Sequence, residues 1–381
     1  VTITGMSNHS KAVAPGHLFV AKPGTYDHGG RYIAEALRGG ATAILTDLCD
    51  PSLKGITQII VKDVVGAEAQ LAAALYGDPS KELMVMGVTG TNGKTTVTSL
   101  IQQLWRAAVK QPCGLLGTIA YDLGHEIIPA TNTTPDAISL QKMMREMRVQ
   151  GCSAVAMEVS SHALSQRRVE CIDLDVGVFT NLTQDHLDYH GTMEQYAAAK
   201  ALLFQQLAGG CRIGRKKMAI AFGDDPWMPK VAKQADLPLR TYGLSAEHDF
   251  AGFEVESSQR GSFWKMKTPE GFFEVQTRLL GNHNVLNVMA ALAAVHASGI
   301  CLERLLPVCP HLKAPAGRLE PVENDLGISI LIDYAHTPDA LEQVCKTLKA
   351  LNPGRLIVVF GAGGNRDRTK RPLMAKAVQL H

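Results

Sequence analysis

Glycine, lysine and threonine recur along residues 87–96, Gly87-Val-Thr-Gly90-Thr91-Asn92-Gly93-Lys94-Thr95-Thr96, in the order a phosphate-binding turn requires. Glycines let the main chain approach an anion, free N–H groups at a helix start point at it, and the helix dipole favours negative charge there. Lys94 is then placed to reach β- and γ-phosphates and Thr95 to ligate Mg²⁺. The spacing is narrower than the Walker pattern, which wants a glycine where this chain has Val88. A glycine turn without ligand is the bland alternative. The strand-length apolar run before it and the helical pattern after it, with Leu100, Leu104 and Ala107 at spacings of four and three, favour a nucleotide site.

Further polar residues stand at the ends of apolar runs. Glu158 closes one such run and is followed by Val159-Ser160-Ser161-His162, while Asn181, Asp185, His186, Asp188 and His190 follow another. A carboxylate and an imidazole at two strand tips beside a phosphate loop suit a Mg²⁺ site, although Mg²⁺ prefers oxygen ligands. His186 as a capping or core histidine is the alternative, and Asp185, Asp188 and His190 read as structural. Lys200 is a misfit. Thr192-Met-Glu-Gln195 has the form of a capping box, and the stripe Met193, Tyr196, Lys200, Leu203, Leu207 places a lysine among apolar residues. Its amine either snorkels to solvent or is desolvated, with a lowered pKa that makes it reactive. Asn284 and Asn287 share a face at a helix start, Asp333 sits at a strand tip where a ribose ligand is common, and Arg366 and Arg368 lie in a glycine-rich turn. The asparagines and Asp333 have a plainer reading as helix caps, and the two arginines, Arg368 especially, as solvated surface charges.

These residues need strands and helices to present them. Residues 1–81 alternate short apolar runs (18–21, 41–45, 58–61) with helical stretches (32–37, 67–76), predicting a small α/β domain closed by Gly77-Asp78-Pro79-Ser80. Residues 82–313 carry strands at 84–88, 153–159, 175–180 and 218–222 interleaved with helices, predicting a parallel sheet covered on both faces. Residues 314–381 carry runs at 328–333 and 355–361 flanking a helix at 338–351, predicting a single βαβ crossover. The 381-residue chain is 46% hydrophobic and 19% charged, with a formal net charge of +2. This balance argues against nucleic acid as a partner, and no apolar run reaches membrane-spanning length. Eight scattered cysteines without a C-x-x-C pair point to a reducing cytoplasm rather than a disulfide or metal framework.

Taken together, the motifs resemble those of the Mur ligases, the ATP-dependent amide-forming enzymes of peptidoglycan synthesis. The likeness runs along essentially the whole chain. It rests on the 87–96 loop, Thr131-Asn-Thr-Thr-Pro135, Met157-Glu-Val-Ser-Ser-His162, Asn181-Leu-Thr-Gln-Asp-His-Leu-Asp-Tyr-His-Gly191, Gly281-Asn-His-Asn284, Gly317-Arg-Leu-Glu320, Asp333-Tyr-Ala-His-Thr-Pro-Asp-Ala340, Gly363-Gly-Asn-Arg-Asp367 and Lys370-Arg-Pro-Leu-Met374. The Tyr-Ala-His-Thr-Pro and Lys-Arg-Pro-Leu-Met forms are similar to the tripeptide-forming branch. The resemblance implies three domains: a small α/β domain for the UDP-substrate, a central ATP-binding sheet, and a Rossmann-like C-terminal domain, here in part. It implies a ligase that adds meso-diaminopimelate or L-lysine to a UDP-muramoyl dipeptide with ATP and Mg²⁺, acting as a cytoplasmic monomer.

Residue by residue, the resemblance puts ATP on Gly90, Thr91, Asn92, Gly93, Lys94, Thr95 and Thr96, with Asn284, Arg318 and Asp333 facing the nucleotide. It puts Mg²⁺ at Thr95, Glu158 and His186, and makes Lys200 a carbamylated lysine ligating a second Mg²⁺. Ser10, Thr133, Thr134, Ser160, Gln166 and Arg168 fall on positions that hold the UDP-substrate, and Arg366 on the arginine that binds the incoming amino acid's carboxylate. Three departures bear on these expectations. Phe222 replaces an asparagine near the nucleotide, and His9-Ser10-Lys11 replaces an Asp-Ser-Arg. The chain also stops soon after Met374, before the Asp-Asn-Pro-Arg segment that reads the added amino acid, so a fragment that binds ATP but forms little amide is expected. A sister Mur-type or folylpolyglutamate ligase, and a nucleotide-binding protein without ligase activity, remain as alternatives.

Overall fold

The computed structural model describes residues 2–24, 27–210, 215–233, 236–258, 261–351, 354–362 and 369–381. Four short strands open the chain: β1 (Gly5–Ser7), β2 (His17–Ala21), β3 (Ala43–Thr46) and β4 (Thr57–Ile60), all paired in parallel in that order. Side chains alternate between faces along a strand, so Leu18 and Val20 join one apolar cluster while Phe19 and Ala21 join another. The helix Val64–Tyr76 covers the first face and ends at Gly77, whose φ of 77° is the left-handed stop that glycine adopts without strain.

The central sheet has eleven strands among the described residues. They are β5 (Met84–Thr89), β6 (Cys113–Leu116), β7 (Ala120–Asp122), β8 (Ile127–Pro129), β9 (Ala154–Glu158), β10 (Val176–Phe179), β11 (Met218–Phe222), β12 (Leu239–Gly243), β13 (Phe250–Ser258), β14 (Gly261–Thr268) and β15 (Gly271–Thr277). Their order is β15-β14-β13-β12-β11-β10-β5-β9-β6-β7-β8, and the ladders from β13 to β6 are parallel. The sheet is covered on both faces, as the near-continuous apolar runs predict. Met86, Val88, Ala154 and Ala156 pack under the helices Lys94–Val109 and Asn282–Ala297; Val85, Val155 and Met157 pack under Ala137–Val149 and Met193–Gly209. The antiparallel arm β13–β15 was not among the expected strands, although the buried alternation along β14 carries the period-2 signal of a half-buried strand.

The last unit departs from expectation. Ile330–Ile332 forms a strand, β17, but pairs antiparallel with β16 (Glu320–Val322) instead of opening a parallel crossover. Residues 355–361 form no strand, and Ile357 and Val359 are 68% and 94% exposed. Apolar composition gives such a run its propensity, but a ladder needs a neighbour, and this run has none among the described residues. The helices Pro338–Ala350 and Lys370–Gln379 pack on each other through Leu341, Met374 and Ala377. Among the described residues no helix is long and apolar enough to cross a membrane.

Candidate active site

The adjacent parallel strands β10, β5, β9 and β6 bring their C-terminal tips together, and every central candidate lies there. This is where open α/β sheets bind ligands. The loop after β5 turns at Gly90 (φ 151°) and Gly93 (φ 88°), and the helix begins at Lys94. A Cβ at Gly90 would stand 1.8 Å from the Thr180 hydroxyl, so that crossing is possible only without a side chain. The tip of β10 holds the loop. Asn181 Oδ1 accepts from the Asn92 N–H (2.9 Å), Thr180 Oγ1 donates to the Asn92 carbonyl (2.6 Å), and the Asn181 carbonyl accepts from the Thr91 N–H (2.9 Å). Lys94 curls back, its ammonium donating to the carbonyls of Gly90 and Thr91, both at 2.9 Å, and burial pushes its pKa down.

Glu158, at the tip of β9, is 1% exposed. Its carboxylate accepts from the Thr118 N–H (2.8 Å) and hydroxyl (3.1 Å), and it fits because position 117 is glycine: a Cβ there would lie 2.5 Å from Oε1. Thr118, which no sequence motif marked, is the residue that orients this acid. Glu158 and Thr95 line one pocket of about 120 Å³. A buried carboxylate held by uncharged donors and sharing a pocket with a threonine hydroxyl is an arrangement of hard oxygens that suits Mg²⁺. Among the described residues no three His, Cys, Asp or Glu side chains converge on one point. A cation here would therefore draw its remaining ligands from elsewhere, such as nucleotide phosphates or water.

His186 does not line that pocket but a wider cleft of about 990 Å³, with His162, Asp185, His336 and Lys370. Its backbone is left-handed (φ 54°), its ring meets His162 edge-on at 4.8 Å, and desolvation lowers its pKa to about 4, leaving a neutral imidazole. Asp185 accepts from the His186 N–H (2.9 Å) and pairs with Lys370; His190 is buried, bonded to Ser161 (2.9 Å) and stacked on Tyr196. These are structural roles. Lys200 is the desolvated lysine of the two readings: 1% exposed, its amine donates to the Gly90 carbonyl (2.8 Å) and lies 4.4 Å from the Tyr196 ring centre. The Thr192 cap is made by its hydroxyl accepting from the Gln195 N–H. Burial, and secondarily the nearby Lys94 charge, press the Lys200 pKa well below that of a free lysine.

The residues expected to hold the UDP-substrate form one connected cluster, except Ser10. Thr134 Oγ1 donates to the Glu158 carbonyl (2.8 Å) and accepts from the Ser160 N–H (3.0 Å), and the Thr133 and Thr118 hydroxyls meet at 3.1 Å. Arg168 donates to the Thr134 carbonyl (2.9 Å) and to Gln166 Oε1. Ser10 lies in the first unit and donates to Glu35.

The remaining expectations fare unevenly. Asn284 is spent on the Leu280 carbonyl (3.0 Å) and on Asn287, and it is Asn287 whose Oδ1 lies within 2.7 Å of where a Gly93 Cβ would be. Arg318 extends towards the Thr95 hydroxyl (3.5 Å) over the Tyr334 ring. Asp333 does not cap the following helix, since Thr337 does; both its oxygens accept from backbone N–H groups, of Leu319 and Ala335. Arg366 lies outside the described residues. Phe222 packs its ring 5.6 Å from Tyr242. Asp339 was not singled out, yet it accepts from the Asn92 side chain (3.1 Å) and so links the third unit to the phosphate loop.

A glycine-rich loop between a central parallel strand and its helix, with a buried acid and a buried lysine at the neighbouring tips, defines a phosphate-loop α/β protein built to act on nucleotides. The Mur ligase middle domain model matches residues 88–295, and the Mur ligase, glutamate ligase domain model matches 317–381. The chain is 42% identical over 98% of its length, and 76% of the relative's, to UDP-N-acetylmuramoyl-L-alanyl-D-glutamate--2,6-diaminopimelate ligase of Geobacillus thermodenitrificans. A solved structure of a ligase of that same name matches 99% of this chain and 76% of its own at 34% identity and a TM-score of 0.77. The fold is also that of MurF ligase from Thermotoga maritima, solved in complex with ADP (21% identity, TM-score 0.65, 91% and 74% covered). The chain belongs to the Mur ligase family.

Proposed function

We propose that this protein joins 2,6-diaminopimelate to UDP-N-acetylmuramoyl-L-alanyl-D-glutamate at the expense of ATP. The observation that carries the reading is the convergence, on four adjacent strand tips, of the phosphate loop, the buried Glu158 and the Thr134–Ser160–Gln166–Arg168 cluster, so that a phosphate donor and an acid acceptor would meet. The names of relatives favour diaminopimelate over L-lysine as the amine. In this reading residues 1–81 hold the uridine end through Ser10, residues 82–313 hold ATP, and residues 314–381 supply the amine side through Arg366. Peptidoglycan precursor synthesis by a cytoplasmic monomer completes the assignment.

ATP supplies the phosphoryl group that activates the acceptor carboxyl as an acyl phosphate, and Mg²⁺ supplies positive charge beside it. The chain's own residues position and neutralise. Lys94, which now donates to the Gly90 and Thr91 carbonyls, would turn from them to the β- and γ-phosphate oxygens. Thr95 and Glu158 offer oxygens to Mg²⁺ from one pocket, and Thr118 keeps the carboxylate aimed. The neutral His186 offers a lone pair at the wider cleft, where positive charge on the ring would oppose a cation. Lys200 suits carbamylation, in which the neutral amine adds to CO₂ and releases a proton: burial lowers the amine's pKa and so favours the form that reacts, and the carbamate would carry hard oxygens. Asp339 and Lys370 join the third unit to Asn92 and Asp185, which supports assembly of the amine side over the loop by domain closure.

The test is phosphate release from ATP in the presence of UDP-muramoyl dipeptide and a panel of amines. Turnover dependent on the dipeptide supports the reading. Turnover with a folate or with a UDP-muramoyl acid of another length would move the protein to a sister ligase, and ATP binding without any acceptor would favour the alternative without ligase activity.

A further inference from the structure

Arg167 stands between two residues of the substrate cluster and does not join them. Gln166 and Arg168 bond to each other, and Arg168 reaches the Thr134 carbonyl. Arg167 has a left-handed backbone (φ 56°) and sends its guanidinium to the other unit of the molecule. Nη1 and Nη2 donate to both carboxylate oxygens of Asp63 at 2.8 and 2.9 Å, across 104 residues of sequence, and Nε and Nη2 also donate to Glu170 at 2.6 and 2.8 Å. Asp63 is the N-cap of Val64–Tyr76, accepting from the Gly66 N–H at 3.0 Å. The fork closes only over a glycine. A Cβ at position 66 would lie 2.4 Å from Asp63 Oδ2 and 2.7 Å from Arg167 Nη2.

Two features separate this contact from general cohesion. The units are already docked by apolar packing, since Ile138 of the central unit is buried in the cluster of Met6, Leu18, Val20, Leu45 and Val64. Arg167 and Asp63 are both roughly half-exposed, so their pairing adds little to stability. A bidentate arginine–carboxylate fork does, however, fix distance and angle more sharply than a point charge. It ties the turn carrying Gln166 and Arg168 to a helix cap of the unit that contains Ser10.

We propose that the Arg167–Asp63 fork is a positioning device for a ligand that spans both units, holding the anchor for the uridine nucleotide and the anchor for its peptide at one fixed separation. The inference rests on the function proposed above. A ligand gripped at two points gains from their pre-set spacing, because its second contact forms within the same complex. A ligand confined to one unit gains nothing from it. Arg167 is thus a positioning residue, and its signature is selective for ligand length.

Calorimetric titration of the full chain with UDP, UDP-muramoyl dipeptide and ATP tests this, for the wild type, Arg167→Ala, Arg167→Lys and Asp63→Asn; the asparagine retains the helix cap but not the charged fork. We expect Arg167→Ala and Asp63→Asn to weaken the dipeptide about tenfold while UDP and ATP stay within about twofold, and Arg167→Lys to recover part of the loss. Dipeptide affinity within about twofold of wild type in both variants, or equal weakening of UDP and dipeptide, overturns the inference. Failure of the wild type to bind the dipeptide at all overturns instead the function on which it rests.

Discussion

Lys200 separates folding from function most cleanly. Its amine is buried, its pKa is pressed down by desolvation, and it donates one hydrogen bond, to the Gly90 carbonyl at 2.8 Å. That carbonyl has a second donor in Lys94 at 2.9 Å, so removing Lys200 does not orphan it. Lys200→Met conserves the stem and roughly the volume. It should cost about 0.5–1.5 kcal/mol for one net hydrogen bond, with little strain. Lys200→Ala also empties the space between Tyr196 and Leu203 and should cost about 2–5 kcal/mol. Urea unfolding curves of the three proteins give these differences from midpoint shifts at constant slope. If the lysine acts as a carbamate, both variants lose ligation by about 10²–10³-fold, the scale of one preorganised charge at a developing anion. Acetate or formate should then restore part of the activity in Lys200→Ala, where space has been opened, and none in Lys200→Met, where the side chain fills it. Full activity in Lys200→Met, or a loss of more than about 3 kcal/mol in that variant, would refute the reasoning.

Gly117→Ala places a methyl group against the Glu158 carboxylate and should lower turnover by about tenfold or more with ATP affinity little changed, as read from steady-state kinetics; unaltered turnover would mean that Glu158 yields freely. Gly90→Ala forces a Cβ onto the Thr180 hydroxyl and should weaken ATP binding by at least about tenfold by calorimetry. His186 and His190 titrate near 4 in the fold against 6.5 when free, so the unfolded chain binds more protons between those values. Their contribution is therefore complete above pH 6.5 and lost as pH falls towards 4, and His190→Gln should flatten the stability profile in that window; an unchanged slope would count against it. Arg366→Ala, if Arg366 binds the incoming amino acid's carboxylate, should cost about 2–5 kcal/mol in amino-acid binding and leave the KM for ATP unchanged.

Much of the central unit was legible because local signals and tertiary outcome agree there. The glycine spacing of the phosphate loop, the Thr192 N-cap and the misplaced Lys200 each follow from periodicity or from a turn's steric needs, and each is realised. Asn284 against Asn287 shows the limit: spacing put both on one face, but only packing decides which is spent on the Leu280 carbonyl. Thr118 carries no motif, and Asp339 sits inside the 333–340 motif without being singled out, because their roles depend on approaches between elements 40 and 247 residues apart in sequence. The antiparallel β16–β17 pairing was missed for a related reason. The run at 328–333 has strand propensity, but its partner is set by register and not by composition.

The central claim is that this chain couples ATP cleavage to joining an amine to a UDP-muramoyl dipeptide. Mass spectrometry of the uridine-containing product, after incubation with ATP, Mg²⁺, the dipeptide and either diaminopimelate or L-lysine, tests it most directly. The account predicts a tripeptide product, in however small a yield, that requires ATP, forms with diaminopimelate in preference to lysine, and is lost in Lys200→Met. Absence of any dipeptide-derived product with either amine, in a protein that still binds ATP, would contradict it.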